Sequence, residues 1–168
     1  MITAVIFDLD GTLIYLPIDY ERLFQEFSKI MKTEDVQPLT EKISRLDKKT
    51  RKRIFDAWSR FEREASRNFT VSKEGVALYQ RFSNIPKALV TMQGKMLVNN
   101  VIKRLGMPFD FVITREDNLD RTKQLQKAAQ MLEAQPQNIL FVGNTDEDHV
   151  ASKRFGCQFL RVKNESLV

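Results

Sequence analysis

The 168-residue sequence predicts an α/β fold: a parallel sheet covered on both faces by helices, with a block of helices inserted after the first strand. Three observations predict it. Short apolar runs, β-branched or aromatic in character, recur at 4–7, 88–90, 111–113, 139–142 and 159–162, as expected of strands buried on both faces. Helical patterns separate the later runs, which implies right-handed βαβ units. Residues 16–84 break that rhythm and read as helix after helix.

The first run, Ala4-Val5-Ile6-Phe7, leads straight into Asp8-Leu9-Asp10-Gly11-Thr12. Successive strand side chains point to opposite faces, so Asp8 and Asp10 share a face and Leu9 turns away. They fall at the carboxyl end of the strand, where open parallel sheets bind ligands. Two carboxylates so close together call for a divalent cation or a retained proton. A hard cation such as Mg²⁺ takes oxygen ligands and suits such a pair. Gly11 permits a tight turn there.

In the insertion, Leu23, Phe24, Phe27, Ile30 and Met31 form the stripe of one helix, and Ile54, Trp58, Phe61 and Ala65 that of another. A further helix is expected over 73–83. The aromatic stripe reads as packing. The strand Lys87-Ala88-Leu89-Val90 ends in Thr91, Met92 and Gln93, then a helix over 93–105 with Leu97, Val101 and Leu105 on one face, ended by Gly106 and Pro108. A hydroxyl beside exposed N–H groups at a helix start makes a natural phosphate cradle. Lys95 reads as a solvent-exposed helix residue. After the strand at 111–113, a helix over 122–133 carries Leu125, Ala128, Ala129 and Leu132. The strand at 139–142 precedes a helix over 146–155 that Gly156 closes, and the last strand follows.

The composition, 42% hydrophobic and 29% charged, is that of an ordinary globular chain. No apolar stretch approaches the ~18 residues of a membrane span, so no membrane partner is expected. The start of the sequence has no leader pattern, and a cytoplasmic location is the expectation. A single cysteine, Cys157, leaves no internal disulfide and reads as a buried thiol. Residues 41–67 hold ten Lys or Arg and five Asp or Glu, an excess equal to the net charge of +5 for the whole chain. Within them, Lys48-Lys49-Thr50-Arg51-Lys52-Arg53 reads as a solvated helix face or a surface that steers anionic substrates. Nucleic acid is not expected as a partner despite this patch at 48–53. The oligomeric state is not legible.

Phe7-Asp8-Leu9-Asp10-Gly11-Thr12-Leu13 resembles the first motif of the haloacid dehalogenase-like superfamily of phosphatases. Three further motifs follow in order. Thr91 resembles the second, in which Ser or Thr holds phosphoryl oxygens. In the stretch from Thr114 to Lys123, Lys123 resembles the family's lysine, with Arg121 the competing candidate. Gly143-Asn144-Thr145-Asp146-Glu147-Asp148 resembles the fourth, usually Gly-Asp with a second acid four residues later. Here Asn144 stands for the first acid while Asp148 is retained and Asp146 is a more distant reserve. Loss of that charge is expected to lower metal affinity. His149, the only histidine, reads as a surface residue.

The resemblance implies a doubly wound parallel core, 1–15 and 85–168, with the first strand central and a small all-helical cap at 16–84. It points to the phosphoglycolate phosphatase-like branch. By that resemblance Asp8 is the nucleophile and Asp10 the general acid and base. Thr91, Met92 and Lys123 bind the phosphoryl group, and Asp8, Asp10, Asn144 and Asp148 hold Mg²⁺. The implied activity is Mg²⁺-dependent hydrolysis of a phosphate monoester, a small phosphorylated metabolite, through an aspartyl-phosphate. A phosphomutase or phosphotransferase would use the same core, and Asn144 keeps open a catalytically weakened binding or regulatory protein. The dehalogenase branch lacks the second aspartate, and a response-regulator receiver carries its aspartate on the third strand; both are set aside.

Overall fold

All five apolar runs form strands in the computed structural model, which describes residues 1–163. In chain order the elements are β1 (Ala4–Phe7), β2 (Ile14–Tyr15), α1 (Tyr20–Met31), α2 (Leu39–Ser44), α3 (Lys48–Ala65), β3 (Thr70–Val71) and α4 (Lys73–Arg81). Then come β4 (Lys87–Val90), α5 (Lys95–Leu105), β5 (Phe111–Ile113), α6 (Arg121–Met131), β6 (Ile139–Gly143), α7 (Asp146–Phe155) and β7 (Gln158–Arg161). A short 3-10 turn at Pro136–Asn138 precedes β6.

The main sheet is parallel throughout, in the order β5-β4-β1-β6-β7, so the first strand is central as expected. A central parallel strand is covered on both faces, which is why every position of β1 is apolar and buried. The pleat divides the core in two. Val5 and Phe7 join Leu89, Val142, Val98 and Val101 on one face. Ala4 and Ile6 join Ala88, Val90, Phe141, Leu125 and Ala128 on the other, under α6 and α7. Burying a side chain such as Phe7 contributes roughly 1.5–3 kcal/mol. Helices on both faces make the core doubly wound.

The insertion is helical with one exception. β2 and β3 pair antiparallel, Ile14 opposite Val71 and Tyr15 opposite Thr70, and form a ribbon where the inserted segment leaves and rejoins the core. Two residues on each side are too few for an alternation signal, so the sequence shows only helix there. α1 and α3 bury Leu23, Phe27, Ile54 and Trp58 against each other, with Phe27 and Trp58 edge to face at 5.6 Å between centroids. α4, within the span expected for the cap, lies against the sheet: the Tyr79 ring is 6.0 Å from that of Phe7 and 5.4 Å from that of Phe109. No helix among the described residues is long and apolar enough to cross a membrane.

Candidate active site

Register brings the candidate residues together. β1 pairs with β4 so that Phe7 faces Leu89, and with β6 so that Phe7 faces Val142. Asp8, Thr91 and Asn144 therefore follow three adjacent strands at one edge of the sheet, where the connections leave for the insertion and the helices. The Asp8 N–H donates to Val142 O at 2.9 Å and carries the strand geometry up to its own carboxylate.

Asp8 is 5% exposed, and its two oxygens have different neighbours. Oδ1 accepts from Arg121 Nη2 at 3.0 Å. Oδ2 faces Thr12 Oγ1 at 3.4 Å and one terminus of the Asn144 amide at 3.3 Å. That amide terminus lies equally 3.3 Å from the Asp10 main-chain oxygen and from Thr12 Oγ1. Placed as oxygen, it completes a ring of oxygens suited to a hard cation; rotated to NH₂, it donates into the same ring. Gly11 makes this approach possible, because its φ is +81° and a Cβ there would meet the Asn144 amide nitrogen at 2.2 Å.

With the Asn144 amide turned so that its oxygen faces Asp8, the oxygens of Asp8 Oδ2, the Asp10 main chain and Asn144 would suit a hard cation such as Mg²⁺. It is a lightly charged set: among the described residues no group of three or more His, Cys, Asp or Glu is placed to hold a metal. Asp148 does not join it. Its Oδ2 accepts the N–H groups of Asn144 and Thr145, both at 3.2 Å, and its Oδ1 lies 3.1 Å from Arg121 Nε. Thr145 and Asp148 form the capping box of α7, which fixes that carboxylate on its own helix start. The Asp10 carboxylate also points away from the ring: Oδ1 accepts the Leu16 N–H at 2.9 Å and Oδ2 accepts the Tyr20 hydroxyl at 3.3 Å. Asp146 is exposed and paired with Arg161 at 2.6 Å, and His149 stacks on Phe159.

The cation facing the nucleophile position is Arg121, the first residue of α6, and not Lys123. Asp120 caps that helix by accepting the Lys123 N–H at 3.2 Å. Two positions along a helix is more than half a turn of rotation, so Lys123 projects to solvent while Arg121 reaches Asp8 and Asp148. Gln124, fully buried, steadies Arg121 by accepting from Nη1 at 2.8 Å. Its own Nε2 donates to Thr91 O, Thr114 O and Asn118 O at 3.0, 3.3 and 2.8 Å. A glutamine on an otherwise apolar helix face is the only sequence trace of this bracket.

Thr91 is 1% exposed, and its Oγ1 accepts the Gln93 N–H at 3.0 Å. The expected cradle at the start of α5 is already filled by protein carboxylates. Gly94 N–H donates to Glu62 Oε1 at 3.0 Å, and Lys95 N–H donates to both oxygens of Glu116 at 3.3 Å. The Gly94 and Lys95 N–H groups are thereby already paired. The Met92 main-chain oxygen is held by Arg115 Nη1 at 3.3 Å.

Glu62 and Arg115 are a buried ion pair, 2% and 0% exposed at their side chains, that joins α3 to this loop. The Arg115 guanidinium also donates to Ser59 Oγ at 3.0 Å and lies over the Trp58 ring at 4.5 Å. A Cβ at Gly94 would meet Arg115 Nη2 at 2.7 Å and Glu62 Oε2 at 2.9 Å.

Burial pushes the Asp8 carboxyl up to about 7, opposed by the Arg121 guanidinium and reinforced by the charges of Asp148 and Asp10. Burial raises Asp10 as well, and the bonds from Leu16 N–H and the Tyr20 hydroxyl hold it back. Both groups sit nearer neutrality than ordinary carboxyls, as nucleophile and acid–base candidates do.

A family model described as haloacid dehalogenase-like hydrolase matches residues 5–162. The chain is 28% identical over 182 residues to the pyrophosphatase PpaX of Bacillus mycoides (strain KBAB4), covering 96% of this chain and 83% of that protein. A haloacid dehalogenase-like family hydrolase from Streptococcus pneumoniae superposes with a TM-score of 0.70 at 19% identity, over 96% of this chain and 85% of that one. The L-2-haloacid dehalogenase of Xanthobacter autotrophicus, with chloropropionic acid covalently bound, superposes at 0.67 and 18% identity, over 99% and 80%. At these identities the structural likeness is one of fold.

Proposed function

Because the chain belongs to the haloacid dehalogenase-like hydrolase family, we propose that it is a Mg²⁺-assisted phosphatase that hydrolyses a small phosphate ester through a phosphoryl group carried on Asp8. The observation that supports it most is the divided environment of Asp8, with Arg121 on one oxygen and the Thr12 hydroxyl and the Asn144 amide beside the other. A transferring phosphoryl group needs positive charge near its equatorial oxygens and a nucleophile, and Arg121 beside the Asp8 carboxylate offers both groups at one place.

In the first step an Asp8 oxygen attacks phosphorus and the bond to the leaving oxygen breaks. Asp10 gives its proton to that oxygen and becomes ionised. In the second, Asp10 takes a proton from water as the water attacks phosphorus, which releases phosphate and restores the Asp8 carboxylate. Arg121 and the Thr91 hydroxyl hold the phosphoryl oxygens through both steps. Asp8, the Asp10 main chain and Asn144 would hold Mg²⁺, which when bound would add positive charge to stabilise the transferring phosphoryl group. Lys123 takes no part in this reading, and Asp148 acts by holding Arg121.

The pyrophosphatase name of the relatives favours a second reading, in which the leaving group is itself phosphate. Release of phosphate from an aryl phosphate, from a panel of alkyl phosphates and from pyrophosphate, each with and without Mg²⁺, tests both. Metal-dependent turnover of the esters supports the phosphatase. Turnover of pyrophosphate alone moves the assignment to a pyrophosphatase, and turnover of neither contradicts both.

A further inference from the structure

We propose that Tyr20 is a positioning residue for the leaving-group side of the reaction: its hydroxyl aims the Asp10 carboxyl at the oxygen that departs. The inference rests on the phosphatase reading above and assigns a role within it to a residue of the inserted helices.

Asp10 is fixed from both ends. Leu16 N–H anchors Oδ1 at 2.9 Å, so the free direction of the carboxyl is that of Oδ2, and the Tyr20 hydroxyl stands there at 3.3 Å. Tyr20 is held in turn. Its ring packs on Phe24 at 5.7 Å.

The two places where the inserted helices touch the site differ in kind. Glu62–Arg115 is buried, carries several bonds and fixes α3 to the Thr91 loop. Tyr20 makes a single long hydrogen bond and is 38% exposed. The first is a fixed fastening; the second bears on the Asp10 carboxyl alone. The phenol oxygen stands on the side from which a leaving oxygen would approach Asp10 Oδ2, and Tyr20 keeps that carboxyl turned towards it with substrate bound.

Proton donation matters for a poor leaving group and little for an activated one, and this gives a readout that a structural role does not move. Tyr20→Phe keeps the ring on Phe24 and removes only the hydroxyl. The measurement is kcat and KM of the native chain and of Tyr20→Phe on an alkyl phosphate and on 4-nitrophenyl phosphate, with melting temperatures recorded beside them. The expected result is a kcat lower by about tenfold on the alkyl ester, less than about threefold on the nitrophenyl ester, and a KM within about twofold on both. Equal losses on both esters, or none on the alkyl ester, overturn the role of Tyr20 while leaving the phosphatase reading in place. A native chain that releases phosphate from neither ester overturns the phosphatase reading and this inference with it.

Discussion

Arg121 and Asp8 lie on elements 113 residues apart in sequence, and their side chains meet at 3.0 Å. The same guanidinium reaches Asp148 at 3.1 Å, so one cation spans the nucleophile candidate and the acid of the last motif. Arg121→Ala is expected to lower kcat by about 100-fold or more, the range for removing one preorganised donor of a developing charge. Lys123→Ala is expected to stay within about twofold, because its side chain is solvated. Steady-state kinetics on the two variants check the assignment, and the reverse order would contradict it.

Asn144 leaves the oxygen ring with one full carboxylate charge from Asp8. Asn144→Asp is expected to tighten Mg²⁺ binding by about tenfold, since hard-cation sites follow ligand charge. Titration calorimetry with MgCl₂ in the absence of substrate reads this directly. Unchanged affinity would mean that the cation is held elsewhere.

Glu62→Ala strands the Arg115 guanidinium among Trp58, Phe55 and Met92, where water does not reach it. Breaking a buried pair from one side costs about 3–5 kcal/mol. Denaturant unfolding should show that loss for the single variant. The double variant Glu62→Leu with Arg115→Met should recover most of it, because no unpaired charge then stays buried. Equal destabilisation in both would contradict the ion-pair origin.

Burial pushes the Cys157 thiol up to about 11 from an ordinary value of 9.0. A thiol raised in the folded state keeps its proton where the unfolded chain has lost it. Stability is therefore expected to fall as the pH rises from about 9 towards about 11, with no contribution from this group below that window. Cys157→Ala should remove that part of the slope in pH-dependent unfolding. Alkylation of the native thiol at pH 8 should be correspondingly slow.

The sheet was legible because its strands are buried on both faces and stand out as uninterrupted apolar runs; Ala4–Phe7 and Ile139–Gly143 are the clearest. The positions of Asp8 and Thr91 were legible because each follows such a strand directly. Lys123 was preferred over Arg121 because the motif fixes a region of sequence and not a helical phase. The phase is set by the Asp120 cap, which makes Arg121 the first helical residue. Asp148 was placed among the metal ligands by resemblance to the fourth motif, and the capping box with Thr145 occupies its Oδ2. The pair Glu62–Arg115 and the contact Tyr20–Asp10 join residues distant in sequence, so no local pattern announces them. The ribbon of Ile14–Tyr15 with Thr70–Val71 is too short to have a period.

The most direct test of the central assignment is to quench a turnover of radiolabelled phosphate ester in acid and locate any covalent phosphoryl group by peptide mapping. An acid-stable, base-labile adduct on the peptide that contains Asp8, dependent on Mg²⁺ and absent from Asp8→Asn, is the predicted result. Turnover that persists in Asp8→Asn, or an adduct on another peptide, would contradict it.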